Sequence, residues 1–131
     1  MAVTSTMSYG QSIKILPKIF HVTFVLNNGT AFGLFKGANV ALAILSALVI
    51  MLISFYVLKN RAPGFANPLT LGLILGGALG NLFDRVRFGY IIDFIDFRVW
   101  PVFNVADSAI TIGMAVLAWN ILKQNFKLSG K

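Results

Sequence analysis

The chain has 131 residues, enough for one domain, with 57% hydrophobic and only 11% charged residues, where a soluble domain carries about 25% charged residues. That balance argues against a soluble globular enzyme, and the absence of cysteine with a single histidine, His21, excludes a disulfide scaffold, thiolate chemistry and a multi-histidine zinc site within one chain. The net charge of +7 comes from basic residues that flank long apolar runs instead of forming a stripe, the pattern of membrane-span ends and not of a nucleic-acid surface.

Residues 1–14 are polar and small and read as a loose tail; they lack the charged start, apolar run and cleavage site of a secretory signal. From residue 15 the pattern changes. Ile19, His21, Thr23 and Val25 alternate with Phe20, Val22, Phe24 and Leu26, a period of two that predicts a strand, and Asn28-Gly29 marks a turn after it. His21 fits here as a packed or interfacial strand residue. Residues 37–58 carry no formal charge and are bracketed by Lys36 and Lys59. As a helix they would be about 33 Å long, sufficient to cross the hydrocarbon core. A short polar loop with Arg61, Pro63 and Gly64 follows.

Asn67-Pro68 has the form of a helix start, a capping side chain followed by proline in the first turn. A second span is expected over 68–83, short at about 24 Å. Gly72, Gly76 and Gly80 recur every four residues, which would line one face for close helix contact; for Gly72 and Gly76 simple packing accounts for them. The segment 84–103 mixes acids, arginines and aromatics. Its Ile91–Phe97 stretch has strand composition, and Phe94, Phe97, Trp100 and Phe103 suit a membrane–water interface. The third span is expected over 104–122, with Asn104 as N-cap and Asp107 at the third helical position, a variant of the capping box.

This gives an all-α membrane protein with a small β element: three transmembrane helices and one short strand region. By alternation, the strand region and the 84–103 segment lie on the same side of the membrane. There is no glutamate, and the only acids, Asp84, Asp93, Asp96 and Asp107, fall within 24 consecutive residues. All four therefore gather with Asn27 at one membrane face. Each has a plain structural reading. Asp107 can cap its helix, Asp84 can pair with Arg85, and Asp96 can be a solvated loop charge. Asp93 is the hardest to place so, because it sits between Ile91-Ile92 and Phe94-Ile95. Two aspartates in a partly dehydrated site tend to share one proton. Such a pair can hydrolyse an amide without metal, histidine or a nucleophilic side chain: the ionised member takes a proton from water, and the protonated member polarises the carbonyl and then protonates the leaving nitrogen. Membrane carboxylates also serve proton relays and ion pathways, so an enzyme and a non-enzymatic proton- or ion-conducting protein both remain open at this point.

Four short motifs narrow the choice. Asn27-Asn28-Gly29-Thr30-Ala31-Phe32-Gly33 resembles the N-x-G-A-A-F motif of the lipoprotein signal peptidases, also called signal peptidase II. Gly76-Gly77-Ala78-Leu79-Gly80-Asn81-Leu82-Phe83-Asp84-Arg85 is similar to their G-G-A-x-G-N-x-x-D-R, Gly89-Tyr90-Ile91-Ile92-Asp93-Phe94 to G-x-V-x-D-F, and Phe103-Asn104-Val105-Ala106-Asp107-Ser108 to F-N-x-A-D-S. Each motif is weak alone; four in the family's order are specific. The resemblance implies an aspartic endopeptidase of the bacterial cytoplasmic (inner) membrane, multi-pass, working without cofactor or metal and expected to be a monomer among membrane lipids. It would remove the signal peptide of a diacylglyceryl-modified prolipoprotein just before the lipidated cysteine. The family's catalytic pair maps onto Asp93 and Asp107, and its supporting residues onto Asn27, Gly29, Asn81, Asp84, Arg85 and Asn104; Asp96 stays outside the pair. Residues 15–33 become an extracytoplasmic β-cradle over an active site at that face.

The family has four spans, the first ending near a D-x-x-[ST]-K motif, whereas Gly10-Gln11-Ser12-Ile13-Lys14 has neither that aspartate nor an apolar run before it. The family topology places Lys59, Arg61, Lys123, Lys127 and Lys131 inside and Lys14, Lys18, Lys36, Arg85, Arg87 and Arg98 outside, so the positive-inside rule does not favour it. An upstream helix missing from this chain, insertion in mixed orientation, and an inactive or truncated homologue are the expectations that follow from this departure.

Overall fold

Alternation and apolar run length divide this chain into two structural layers, a small sheet and a set of long helices. The computed structural model describes residues 2–29, 39–59 and 67–129. In chain order the elements are α1 (Ala2–Thr6), β1 (Ser12–Leu16), β2 (Phe20–Asn27), α2 (Asn39–Lys59), α3 (Pro68–Phe88), β3 (Ile91–Asp96) and α4 (Val105–Ser129). Three of the helices are long and apolar enough to cross a membrane. Residues 30–38 and 60–66, which include the end of the expected cradle, Thr30 to Gly33 of the first motif, the start of the first span and the polar loop, lie outside the described residues.

The amino-terminal segment is not a loose tail. Residues 2–6 are helical, and Ser12–Leu16 pairs antiparallel with β2 as the edge of a three-stranded sheet of order β1-β2-β3. Gly10 takes a left-handed backbone (φ 79°), which only glycine adopts without penalty, and its N–H donates to the Phe24 carbonyl at 2.9 Å. The turn delivers Met7 onto Phe24 and Ile92, forming the small apolar core beneath the sheet. The signal for β1, Ile13 and Ile15 alternating with Ser12, Lys14 and Leu16, is short and breaks at Pro17. β2 and β3 are antiparallel, with Asn27 opposite Ile91 and Val25 opposite Asp93, and a bulge between Val22 and Val25.

α2 packs against α3 yet has no buried residue and is apolar all round, the pattern of a helix most of whose surface would face lipid. α3 begins as predicted at Asn67, whose Oδ1 accepts from the backbone N–H and the hydroxyl of Thr70 at 2.7 and 2.9 Å, with Pro68 in the first turn. It runs five residues past the expected end at Phe83. Nothing in Asp84–Phe88 breaks a helix, and the stop comes at Gly89, again left-handed, with its N–H on the Arg85 carbonyl. The added turn carries Arg85 and Arg87, which the negative end of the helix dipole favours. α4 likewise continues beyond Leu122 to Ser129 because no breaker precedes Gly130.

The face of α3 that meets α4 is Thr70, Ile74, Gly77 and Asn81, spaced by four, three and four. A Cβ at Gly77 would collide with the Ala106 carbonyl and lie 2.7 Å from Ile110, and one at Gly113 of α4 would lie 2.6 Å from Ile74. The packing glycines are thus Gly77 and Gly113, with Gly80 in ordinary contact with Ala106. Gly72 and Gly76, expected to pack, meet nothing among the described residues. A strict spacing of four drifts around a helix of 3.6 residues per turn, so the stripe leaves the contact face.

Candidate active site

The site is built where β3 leaves the carboxyl end of α3 and where α4 begins. In β3, alternation puts Ile92 on the small core and Ile91 and Asp93 on the opposite face. Asp93 is 1% exposed. A buried carboxylate needs donors, and two asparagines supply them. Asn27, the last residue of β2, donates from Nδ2 to Asp93 Oδ2 at 2.8 Å, and Asn104 donates from Nδ2 to Asp93 Oδ1 at 2.9 Å. Asn27 is itself fixed by the Gly29 N–H, which donates to its Oδ1 at 2.9 Å.

Asn104 joins Asp93 to Asp107. It is the N-cap of α4: its Oδ1 accepts from the Asp107 N–H at 2.9 Å, and its own N–H donates to Asp107 Oδ2 at 3.3 Å. This is a capping box with aspartate in the glutamate position. The second hydrogen of its Nδ2 goes to Asn81 Oδ1 at 3.1 Å, and Asn81 Nδ2 donates to Asp107 Oδ1 at 2.7 Å. Asn27, Asp93, Asn104, Asn81 and Asp107 therefore form one continuous hydrogen-bonded chain drawn from four elements and the segment before α4. Asn81 and Asn104 are both buried.

Arg85 lies one turn beyond Asn81 on the same face of α3. It lines the same cavity as the two aspartates, and its Nε is buried without a hydrogen-bond partner among the described residues. Burial pushes the Asp93 carboxyl up to about 6 and the negative charge of Asp107 adds to this, while the hydrogen bonds from Asn27 and Asn104 and the positive charge of Arg85 pull it down. The cavity, of about 610 Å³, is also lined by Asn27, Gly29, Ser108 and Thr111 and has an apolar wall of Ile91, Phe97, Trp100, Pro101, Val102, Phe103 and Ile112.

Of the residues expected at the site, Asn27, Gly29, Asn81, Arg85, Asp93, Asn104 and Asp107 converge. Asp84 does not. It lies at the edge of α3 away from the cavity lining, and it makes no hydrogen bond or ion pair among the described residues. Asp96, read from the sequence as a candidate solvated loop charge, is 3% exposed and bound by Thr23 and Arg98. Phe97, Trp100 and Phe103, expected at the membrane interface, line the cavity; Phe94 does not. The structure adds Ser108, the last residue of the fourth motif, and Thr111, which no motif marked, on the first turns of α4. Among the described residues no cluster of three or more His, Cys, Asp or Glu could hold a metal ion.

Three membrane-length helices and a small sheet bring two aspartates, Asn27 and an arginine to one apolar-walled cavity, with Asn81 and Asn104 buried behind them, and define a membrane protein with a hydrogen-bonded carboxylate site. Residues 1–123 match the family described as Signal peptidase (SPase) II, and the chain belongs to that family. It is 44% identical over 124 residues to the lipoprotein signal peptidase of Halothermothrix orenii, covering 95% of this chain and 85% of that one. With the lipoprotein signal peptidase of Pelotomaculum thermopropionicum it shares 42% identity over 132 residues, 99% of this chain and 86% of the other. Two solved structures of a bacterial membrane enzyme, obtained by the in meso method at 2.3 and 1.9 Å resolution, superpose with TM-scores of 0.84 and 0.82. Each is 31% identical to this chain; they cover 94% and 93% of it, and 77% and 81% of their own length is matched.

Proposed function

We propose that this protein is an aspartic endopeptidase of the bacterial cytoplasmic membrane that removes signal peptides from diacylglyceryl-modified prolipoproteins, with Asp93 and Asp107 as its catalytic pair. The observation that carries the reading is Asn104. It binds Asp93 through its amide and Asp107 through its cap, so the two carboxyls are held in one hydrogen-bonded unit that lines an apolar-walled cavity.

The roles follow from surroundings. Asp93 is the more deeply dehydrated, and burial favours its protonated form, which suits it to polarise the scissile carbonyl and later protonate the leaving nitrogen. Asp107 sits beside it in the first turn of α4 and takes the proton from the attacking water. One proton shared by two carboxyls is the condition for both roles at once. Arg85, with an unused buried N–H beside both, is placed to bind a substrate carbonyl. Asn81 and Asn104 hold the pair, and Asn27 with Gly29 presents the end of β2 to the substrate backbone.

An amphiphilic substrate suits this placement. Its acyl chains remain in the bilayer beside the helices, while the peptide bond before the modified cysteine reaches the end of the helices where the sheet begins. The site opens at the extracytoplasmic face, and the protein works as a monomer surrounded by lipid. The test is cleavage of a lipidated prolipoprotein in liposomes by the parent chain and by Asp93→Asn and Asp107→Asn. Each substitution is expected to lower turnover by at least about 10³-fold. Conductance or proton flux depending on one acid, without cleavage, would instead establish an ion pathway.

A further inference from the structure

The catalytic pair leaves one buried acid unexplained. Asp96 ends β3 and accepts three hydrogen bonds: from Thr23 Oγ1 at 2.6 Å, from the Arg98 backbone N–H at 2.8 Å and from Arg98 Nη1 at 2.9 Å. Burial opposes its charge, but these bonds outweigh that and hold its carboxyl below the ordinary carboxylate range. Thr23 is tied in turn to Ser12 Oγ at 2.8 Å, and Ser12 to His21 Nδ1 at 3.1 Å. A line of side chains thus runs from the edge strand across β2 to the end of β3.

What Asp96 holds is a loop. The chain leaves β3 after Asp96 and returns at Phe103, whose N–H and carbonyl pair with Ile95, the carbonyl also accepting from Phe94. Between these two fixed ends, residues 97–102 bulge out. The loop supplies Phe97, Trp100, Pro101 and Val102 to the cavity wall. Phe97 packs between Phe20 and Phe103, with ring centroids 5.3 and 5.9 Å away. Arg98 is left-handed (φ 66°), a conformation unfavourable for a residue with a Cβ. The carboxylate on its N–H and its guanidinium is what holds it there. Asp96 itself does not line the cavity.

We propose that Asp96, with Thr23 and Arg98, is a positioning clamp for the 97–103 wall, setting how substrate is held against Asp93 and Asp107 without taking part in the chemistry. This rests on the peptidase reading for its substrate, but not for the clamp itself. The experiment therefore has two arms, both on the full chain in nanodiscs. The first is amide hydrogen exchange. Asp96→Ala is expected to speed exchange across 97–103 by about tenfold or more while α3 and α4 keep their protection, because only the loop loses its anchor. The second is steady-state cleavage of a lipidated prolipoprotein. Asp96→Ala is expected to raise KM about tenfold with kcat within about twofold of the parent and with an unchanged pH profile.

Arg98→Gly supplies the rescue, since glycine takes the left-handed turn unaided. Combined with Asp96→Ala, it should recover part of the lost KM. Unchanged exchange over 97–103 would overturn the clamp, and so would a fall in kcat at constant KM, which would put Asp96 in the chemistry. If Asp96→Ala does not fold, Thr23→Val removes one of the three bonds and keeps the ion pair, and the same two outcomes decide. A parent chain that cleaves nothing would sink the peptidase reading, while the exchange arm still decides the clamp.

Discussion

Asn104 donates its amide to Asp93 at 2.9 Å, eleven residues earlier in the chain, while the same side chain caps the helix that carries Asp107. Helix capping and alignment of the pair are therefore one structural act. Asn104→Ser separates them, because serine caps about as well as asparagine but cannot reach Asp93. It is expected to keep the cap, to lose about 1–3 kcal/mol through the buried Asp93 and Asn81 oxygens left without their donor, and to lose at least about tenfold in kcat/KM. Asn104→Ala should lose a further ~1 kcal/mol of stability through the cap. Thermal unfolding in detergent, run beside the cleavage assay, checks both.

The raised carboxyl of Asp93 has a consequence for stability. Its value of about 6 lies above the 3.8 of an unperturbed aspartate. The folded state therefore binds this proton more tightly than the unfolded chain does. The stabilisation is complete below about pH 4 and is lost as pH rises through about 6, on the order of 3 kcal/mol in all. Melting temperature should fall over that window in the parent, and the contribution should vanish in Asp93→Asn. A parent whose stability rises from pH 4 to 6, with Asp93→Asn parallel to it, would contradict this origin.

Activity should carry the same signature with a movable midpoint. With Asp93 as the protonated partner, kcat/KM for the lipidated substrate falls as pH rises through about 6. The hydrogen bond from Asn27 lowers that value, so Asn27→Ala should move the falling limb to higher pH while reducing the maximum. A limb that stays in place or moves down would show that Asn27 does not act on this proton.

Adjacent glycines should behave oppositely. Gly77→Ala forces a methyl into the Ala106 carbonyl, and backbone cannot swing aside as a side chain can. A loss of about 1–3 kcal/mol is expected, as for overpacked cores. Gly76→Ala meets nothing among the described residues and should be neutral or stabilising by up to about 1 kcal/mol through helix propensity. Comparing the two melting temperatures in one detergent decides it.

The three long helices, the N-caps Asn67 and Asn104 and the β2 strand were legible in the sequence. Each depends on local properties: apolar run length, a capping side chain, a period of two. The four motifs also marked Asn27, Asn81, Asp93, Asn104 and Asp107, through their resemblance to those of the lipoprotein signal peptidases and not through any local property. Local properties could not show where α3 ends, since an exposed polar turn continues the helix until Gly89 stops it. Nor could they show which glycines touch, which depends on the crossing of α3 with α4. By local properties Asp84, Asp96 and Asp107 were alike as charges near a membrane end, and only the family resemblance told them apart; what surrounds each was decided by tertiary structure. It left Asp84 out of the cavity lining, buried Asp96 under Thr23 and Arg98, and placed Asp107 on Asn81, 26 residues distant. The sequence by itself determined which groups are present and on which elements they ride; the tertiary structure decided which are dehydrated and which share a hydrogen bond, because burial and contact belong to the packed chain and not to any segment of it.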